Sequence, residues 1–329
     1  MPRLPAGGFL SRHLGEAAAL ATAVCWSVTP FFFTSASRRI GSFSANVVRL
    51  VIACALLGLA VLVTTAGDAP PPRQTLLFVA SGLIGLTLGD AALFEALVIL
   101  GPRRVSLLGA LAPVVVAVVS VPLLGEGLTP IAAGGMALTL GGVAWVVLER
   151  PADGETHGSL GRGVVLGALA AAGQGLGAIC AKAGLGDAPA DTALGALAAG
   201  GGSAVSITAL EGTLIRMLAG CAGMLVWAAL RGRVGEIVRS TRDGRAMSMA
   251  AGGAVFGPFV GVWLSLVAFK HTSQTAVAQT IMSFSPVLVI VIARSVHHER
   301  PSARAWLGSF AAITGVAVLA FREEIAALW

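Results

Sequence analysis

The residues able to do chemistry are few, and most lie inside apolar runs. Asp90 sits about 15 residues into the run 75–100, near the centre of a helix long enough to cross a bilayer. A carboxylate there is costly unless it is paired, hydrated or protonated. It therefore reads as a proton carrier, as a binder of a substrate amine, or as a structural partner that orders neighbouring helices. Glu95 follows five residues later, about 140° further round a helix. The two acids do not share a face, so one can meet a cavity and the other a neighbouring helix. Arg49 and Arg216 each lie near the start of their runs, three residues after a polar side chain, Asn46 and Thr213. That spacing puts each pair on one face. Such arginines either snorkel to the headgroups or act inside, pairing with Asp90 or Glu95 or gripping a substrate carboxylate. Trp26 is a cavity wall or ordinary packing. Gln174 is too polar to face lipid, and Gln279 is deep enough in its run to reach a cavity. Lys182, Lys270 and His271 fall near run ends and are expected to anchor at the interface.

No catalytic, cofactor or metal site is expected. The chain carries no P-loop, no H-E-x-x-H and no G-x-S-x-G. Gly173-Gln-Gly175-Leu-Gly177 has no strand before it, so it reads as close helix packing rather than phosphate binding. His297-His298-Glu299 is too compact for a metal cage, and the four cysteines lie apart in apolar stretches.

The elements that must position these residues follow from composition. Of 329 residues, 56% are hydrophobic and 12% charged, against about 25% charged in a soluble domain. This excludes a cytosolic enzyme, a nucleic-acid-binding protein and a disordered chain. The net charge of +6 comes largely from arginines in short loops, where they set orientation and meet headgroups. Apolar runs predict helices at 16–36, 45–66, 75–100, 104–124 and 129–149, then at 162–182, 209–230, 246–270, 274–296 and 303–321. The first is too long for a signal peptide. The polar stretch 151–160 is a linker. Residues 185–208, with Asp187, Pro189 and Asp191 and then many glycines, read as an inserted loop or re-entrant piece.

An internal repeat joins the halves. One offset of 173 maps Pro113 onto Pro286, Glu126 onto Glu299, Gly135 onto Gly308, and Gly142-Val143-Ala144 onto Gly315-Val316-Ala317. Arg49 maps onto Arg216 at 167, and Trp26 onto Gln174 near 148. The fold class is therefore an all-α polytopic membrane protein, ten transmembrane helices in two repeats, 1–150 and 161–329. Five helices per repeat is odd, so the halves are inverted, and inverted repeats place a transport site at their interface. Pro113 and Pro286 are candidate hinges, each within a helix. Glu126 and Glu299 fall at helix–loop junctions and are expected to cap the next helix, beside Thr129 and Ser302.

These residues also resemble a known family. Leu111-Ala-Pro113-Val, Leu124-Gly-Glu126-Gly-Leu-Thr129, Gly135 and Gly141-Gly-Val143 are similar to the EamA domain of the drug/metabolite transporter superfamily. The second copy, Ser285-Pro286-Val, Glu299-Arg-Pro-Ser302, Gly308 and Gly315-Val316, departs by carrying His297-His298 where Leu-Gly is expected. The resemblance spans nearly the whole chain. It implies export or exchange of small metabolites, often amino acids, across the bacterial inner membrane, with no cofactor. The first, third, sixth and eighth helices would line the cavity, the fourth and ninth would border it, and the fifth and tenth would lie at the periphery. The expected partners are a small-molecule substrate, the lipid bilayer and protons as coupling ion. No nucleic acid is expected, and the protein would be a monomer or homodimer. A non-transporting sensor or assembly subunit, or an intramembrane lipid-modifying enzyme, are the alternatives. Lys and Arg count fourteen to six against the face that holds the termini, which puts the termini outside, whereas the resemblance implies that they are inside.

Overall fold

The computed structural model describes residues 13–64, 71–109, 111–148, 159–186, 188, 191–199, 207–285, 287–288 and 303–327. Every regular element among them is helical. Helix α1 (Leu14–Ile40) and α2 (Ser42–Thr64) meet at Gly41, whose φ of 77° lets the chain reverse in one residue. The third crossing is compound. It starts as α3 (Pro72–Ser81), widens into a π segment at Gly82–Gly89, and continues as α4 (Asp90–Gly109). Then come α5 (Ala112–Leu124), α6 (Pro130–Leu148), α7 (Leu160–Gly184) and the short α8 (Ala193–Ala199). In the second half, α9 (Ala209–Leu230) is followed by the short α10 (Val234–Ser240). The eighth crossing is again compound: α11 (Gly244–Ala254), a π segment at Val255–Gly261, and α12 (Val262–His271). The chain closes with α13 (Thr275–Met282), α14 (Ala303–Ala320) and the short α15 (Arg322–Ala326).

Among the described residues, six helices are long and apolar enough to cross a bilayer. Shorter apolar helices lie at Ala112–Leu124, Pro130–Trp145 and Trp306–Ala320. Helix α5, at 13 residues, rises only about 20 Å, short of a hydrocarbon core of about 30 Å. Ten full crossings are therefore not reached among the described residues. Two boundaries differ from the expectation. The break expected after residue 100 is absent, because the helix runs on through Gly101-Pro102 to Gly109; a proline removes one donor, which a membrane helix can tolerate. Pro113 consequently falls in the first turn of α5 instead of within a helix, where its missing N–H is an orphan anyway. It starts a helix and does not kink one. Its expected mate Pro286 lies outside the described residues. The insertion 185–208 contains α8, with Thr192 Oγ1 accepting from Gly195 N at 3.1 Å.

The halves interlock crosswise. Helix α1 packs on the eighth crossing, and α7 packs on the third. Helix α2 packs on α9, α5 on α13, and α6 on α14. The two π segments begin at Gly82 and Val255, again 173 apart. His13 at the start of α1 lies 3.1 Å from Glu324 in α15, so the described chain ends share one face. Outer positions such as Leu62, Val63, Leu230 and Phe310 are exposed apolar side chains, each more than 70% accessible, as a lipid-facing surface requires.

Candidate functional site

A cluster of buried charge lies where the repeats cross. Asp90 opens α4 directly after the first π segment and is 3% exposed. Its Oδ2 is ion-paired with Arg49 Nη2. Its Oδ1 accepts from Gln174 Nε2 at 2.9 Å, and the same amide nitrogen reaches Gly85 O at 3.2 Å. Arg49 Nε in turn donates to Asn46 Oδ1 at 2.6 Å, one helical turn earlier on α2. The Arg49 guanidinium lies 5.2 Å from the centroid of Phe33 and 5.5 Å from that of Phe94, on the negative faces of both rings. Arg49 is thus an internal cation and does not snorkel. Its repeat mate Arg216, on α9, is buried as well, at 5% exposure, and feels the charge of Asp90. Arg216 Nε has no hydrogen-bond partner among the described residues. Thr213, read as its face-mate, bonds Ala209 O instead.

Two cavities flank this cluster. The inner one holds about 30 Å³, room for about one water. Trp26, Gln174, Arg216, Ser265, Phe269 and Gln279 are among its walls. The outer one, about 480 Å³, opens between Ser42, Asn46, Ala91, Phe94, Trp227 and Arg231. Asn46 faces the outer space and Gln174 the inner one, so the Arg49–Asp90 pair stands between them. Glu95 lies on the outer wall, exposed and ion-paired with Arg162.

Glycine makes this closeness possible. A β-carbon on Gly82 would come within 2.3 Å of Arg216 O, and one on Gly85 within 3.1 Å of Arg216 Nη2. One on Gly173 would stand 2.9 Å from Gly89 Cα, and one on Gly261 2.7 Å from Trp26 Nε1. Trp26 and Gln174 therefore occupy matching places, each laid against the π segment of the other repeat. The wide π turns, frequent at functional sites, were not read from the sequence. The glycine pair Gly82 and Gly85 beside Ser81 was the signal available.

The face with the termini is shut by polar contacts. Lys182 Nζ donates to Phe269 O and, at 3.1 Å, to Thr272 O. It is buried at 5% exposure, so it is not the interfacial anchor expected. Glu126 does not cap the next helix. It accepts from Thr275 N at 2.6 Å and Thr275 Oγ1 at 2.8 Å, capping α13 across the repeat boundary. Thr129 serves α6 instead, accepting from Ala132 N at 3.2 Å. Burial pushes the Glu126 carboxyl above its ordinary range, against the pull of the Thr275 donors and Lys182. Arg322 and Glu16 form a buried pair at 2.6 Å beside it.

These features match known proteins. The EamA-like transporter family matches residues 13–148 and 161–321, one copy per half. The chain belongs to this family. As an EamA-like protein it is an integral membrane protein of transporter type, and its crossed halves are the two family repeats. A solved crystal structure 18% identical superposes with a TM-score of 0.68, covering 94% of this chain and 98% of that one, which shows a shared fold. No curated protein matches.

Proposed function

We propose that the chain is a secondary transporter that carries small metabolites through the cavity between its repeats, by opening its two faces in turn. The observation that supports this reading is the buried Arg49–Asp90–Gln174 cluster, set between a wide vestibule and a small inner cavity. Inverted repeats allow two symmetry-related conformations, one open to each side. The structure has a spacious mouth on the arginine-rich face and a closed network on the face with the termini. The substrate would enter past Asn46 and settle against Gln174, Arg216, Trp26 and Gln279. Amino acids and related polar compounds are the class expected, exported or exchanged across the bacterial inner membrane. Coupling to protons would run through Asp90, because a proton on its carboxyl removes the charge that holds Arg49.

The test is uptake and release from proteoliposomes, using a panel of amino acids and small metabolites, with and without a pH gradient. Wild type is compared with Asp90→Asn. Flux driven by the gradient and lost in the variant supports proton-coupled transport through Asp90. Flux indifferent to both leaves a transporter with another mechanism. No flux across the panel overturns the transport reading.

A further inference from the structure

The charge balance of the buried cluster points to a substrate class. We infer that the inner cavity receives the carboxylate of a monoanionic small molecule and that Arg216 is the group that binds it. The inference rests on the transport reading for its purpose but not for its chemistry. Two guanidiniums, Arg49 and Arg216, share one carboxylate, Asp90. Asp90 spends both oxygens on Arg49 and Gln174. Among the described residues, Arg216 keeps a buried Nε without a hydrogen-bond partner and is the one charged residue lining the inner cavity. A single water fits there and can satisfy a donor, yet it leaves the positive charge unmatched in a medium where unmatched charge is costly. One incoming carboxylate completes the balance and supplies acceptors in the geometry a guanidinium fork prefers.

The remaining walls, which must part to admit more than one water, have the chemistry to suit the rest of such a molecule. Trp26 and Phe269 offer apolar faces, and Gln174, Gln279 and Ser265 offer neutral polar groups. No wall residue among the described ones carries a negative charge for a substrate ammonium, so within the small metabolites proposed above, carboxylates without an ammonium are favoured over amino acids and over cations. The approach has the same sign. Arg231 and Arg233 line the vestibule with one acid, Glu95; Glu95 is held by Arg162 and Arg233 by Glu236, so the net charge of the lining rests on Arg231. Such a mouth raises the local concentration of anions.

The experiment is equilibrium binding to the purified full-length protein, read by titration calorimetry. The probes are benzoate, its neutral isostere benzamide and the cation benzylamine, with acetate and phenylacetate to sample size. Benzoate is expected to bind roughly tenfold or more tightly than benzamide, as one charge-assisted contact provides. Arg216→Met should reduce benzoate to the level of benzamide, and Arg216→Lys should keep the preference. Gln279→Glu, which supplies the missing negative charge from the wall without removing Arg216, should abolish benzoate binding and leave the weak binding of benzamide. The inference fails if benzamide or benzylamine binds as well as benzoate, if no monocarboxylate binds, or if Gln279→Glu leaves benzoate affinity unchanged. Binding needs no vesicle. Carboxylate binding without flux would therefore sink the transport reading alone, and flux of cations alone would sink this one.

Discussion

Asp90 holds Arg49 and Gln174 together at the crossing of the repeats, and its removal affects each differently. In Asp90→Asn the amide keeps a hydrogen bond to Gln174 but leaves Arg49, only 15% exposed at its side chain, without its counter-charge. Breaking a buried pair by one partner typically costs about 3–5 kcal/mol, while replacing both partners by apolar groups is often close to neutral. Asp90→Asn should therefore destabilise the protein by a few kcal/mol, and Asp90→Asn with Arg49→Met should recover part of that loss. Reversible unfolding in mixed micelles measures both. A double variant less stable than Asp90→Asn by itself would mean that Arg49 stabilises through Asn46, Phe33 and Phe94 and not through the acid.

At the scale of elements, the closure of the face with the termini depends on Glu126 reaching from the end of α5 to the start of α13. Its carboxyl is raised above the ordinary range by burial in this closed arrangement. When the face opens and Glu126 is hydrated, its affinity for a proton falls to the ordinary value. The closed state therefore binds the proton more tightly, so acid favours closure. Raising the pH through the shifted pKa favours opening. In a cysteine-free background carrying Ser265→Cys, labelling of the inner cavity by a membrane-impermeant thiol reagent should accelerate as pH rises over this range. Dividing by the rate in a Glu126→Gln version cancels the thiol's own titration, and a flat ratio would discard the idea. The sequence made Glu126 visible through its match with Glu299, but not its partner. Spacing alone favours Thr129, three residues on, whereas Thr275 arrives only through the tertiary fold. The same limit hid the π segments. Their residues form apolar runs by composition, and the neighbours packed on them, Arg216 and Gly173 on the first and Thr29 and Trp26 on the second, come from the other half of the chain. Asp90 and Gln174 stand out in the sequence because polar side chains deep in apolar runs are costly against lipid, whereas spacing leaves Arg49 between snorkelling and an inner role, and Trp26 between cavity wall and ordinary packing.

The whole molecule is organised by a pseudo-two-fold relation, and its clearest physical imprint is the seam between α6 and α14. A β-carbon on Gly142 would stand 2.6 Å from both Gly308 O and Ala312 N. One on Gly315 would stand 2.8 Å from Gly135 O and 2.5 Å from Thr139 N. The offset of 173 maps 135, 139 and 142 onto 308, 312 and 315, so the two contacts are the same contact seen from each repeat. Small residues at such a seam let backbones approach where no hydrophobic force drives helices together. Gly142→Ala and Gly315→Ala should therefore each cost about 1–3 kcal/mol, the usual penalty for overpacking, and cost it to a similar degree. Because both variants push the same two helices apart, the double variant should lose less than the sum of the two. Unfolding in micelles again reads the three values. Equal single effects with a sub-additive double are what the two-fold seam requires. A large effect at one glycine with none at the other would show that the repeats, though related in sequence, no longer share their packing.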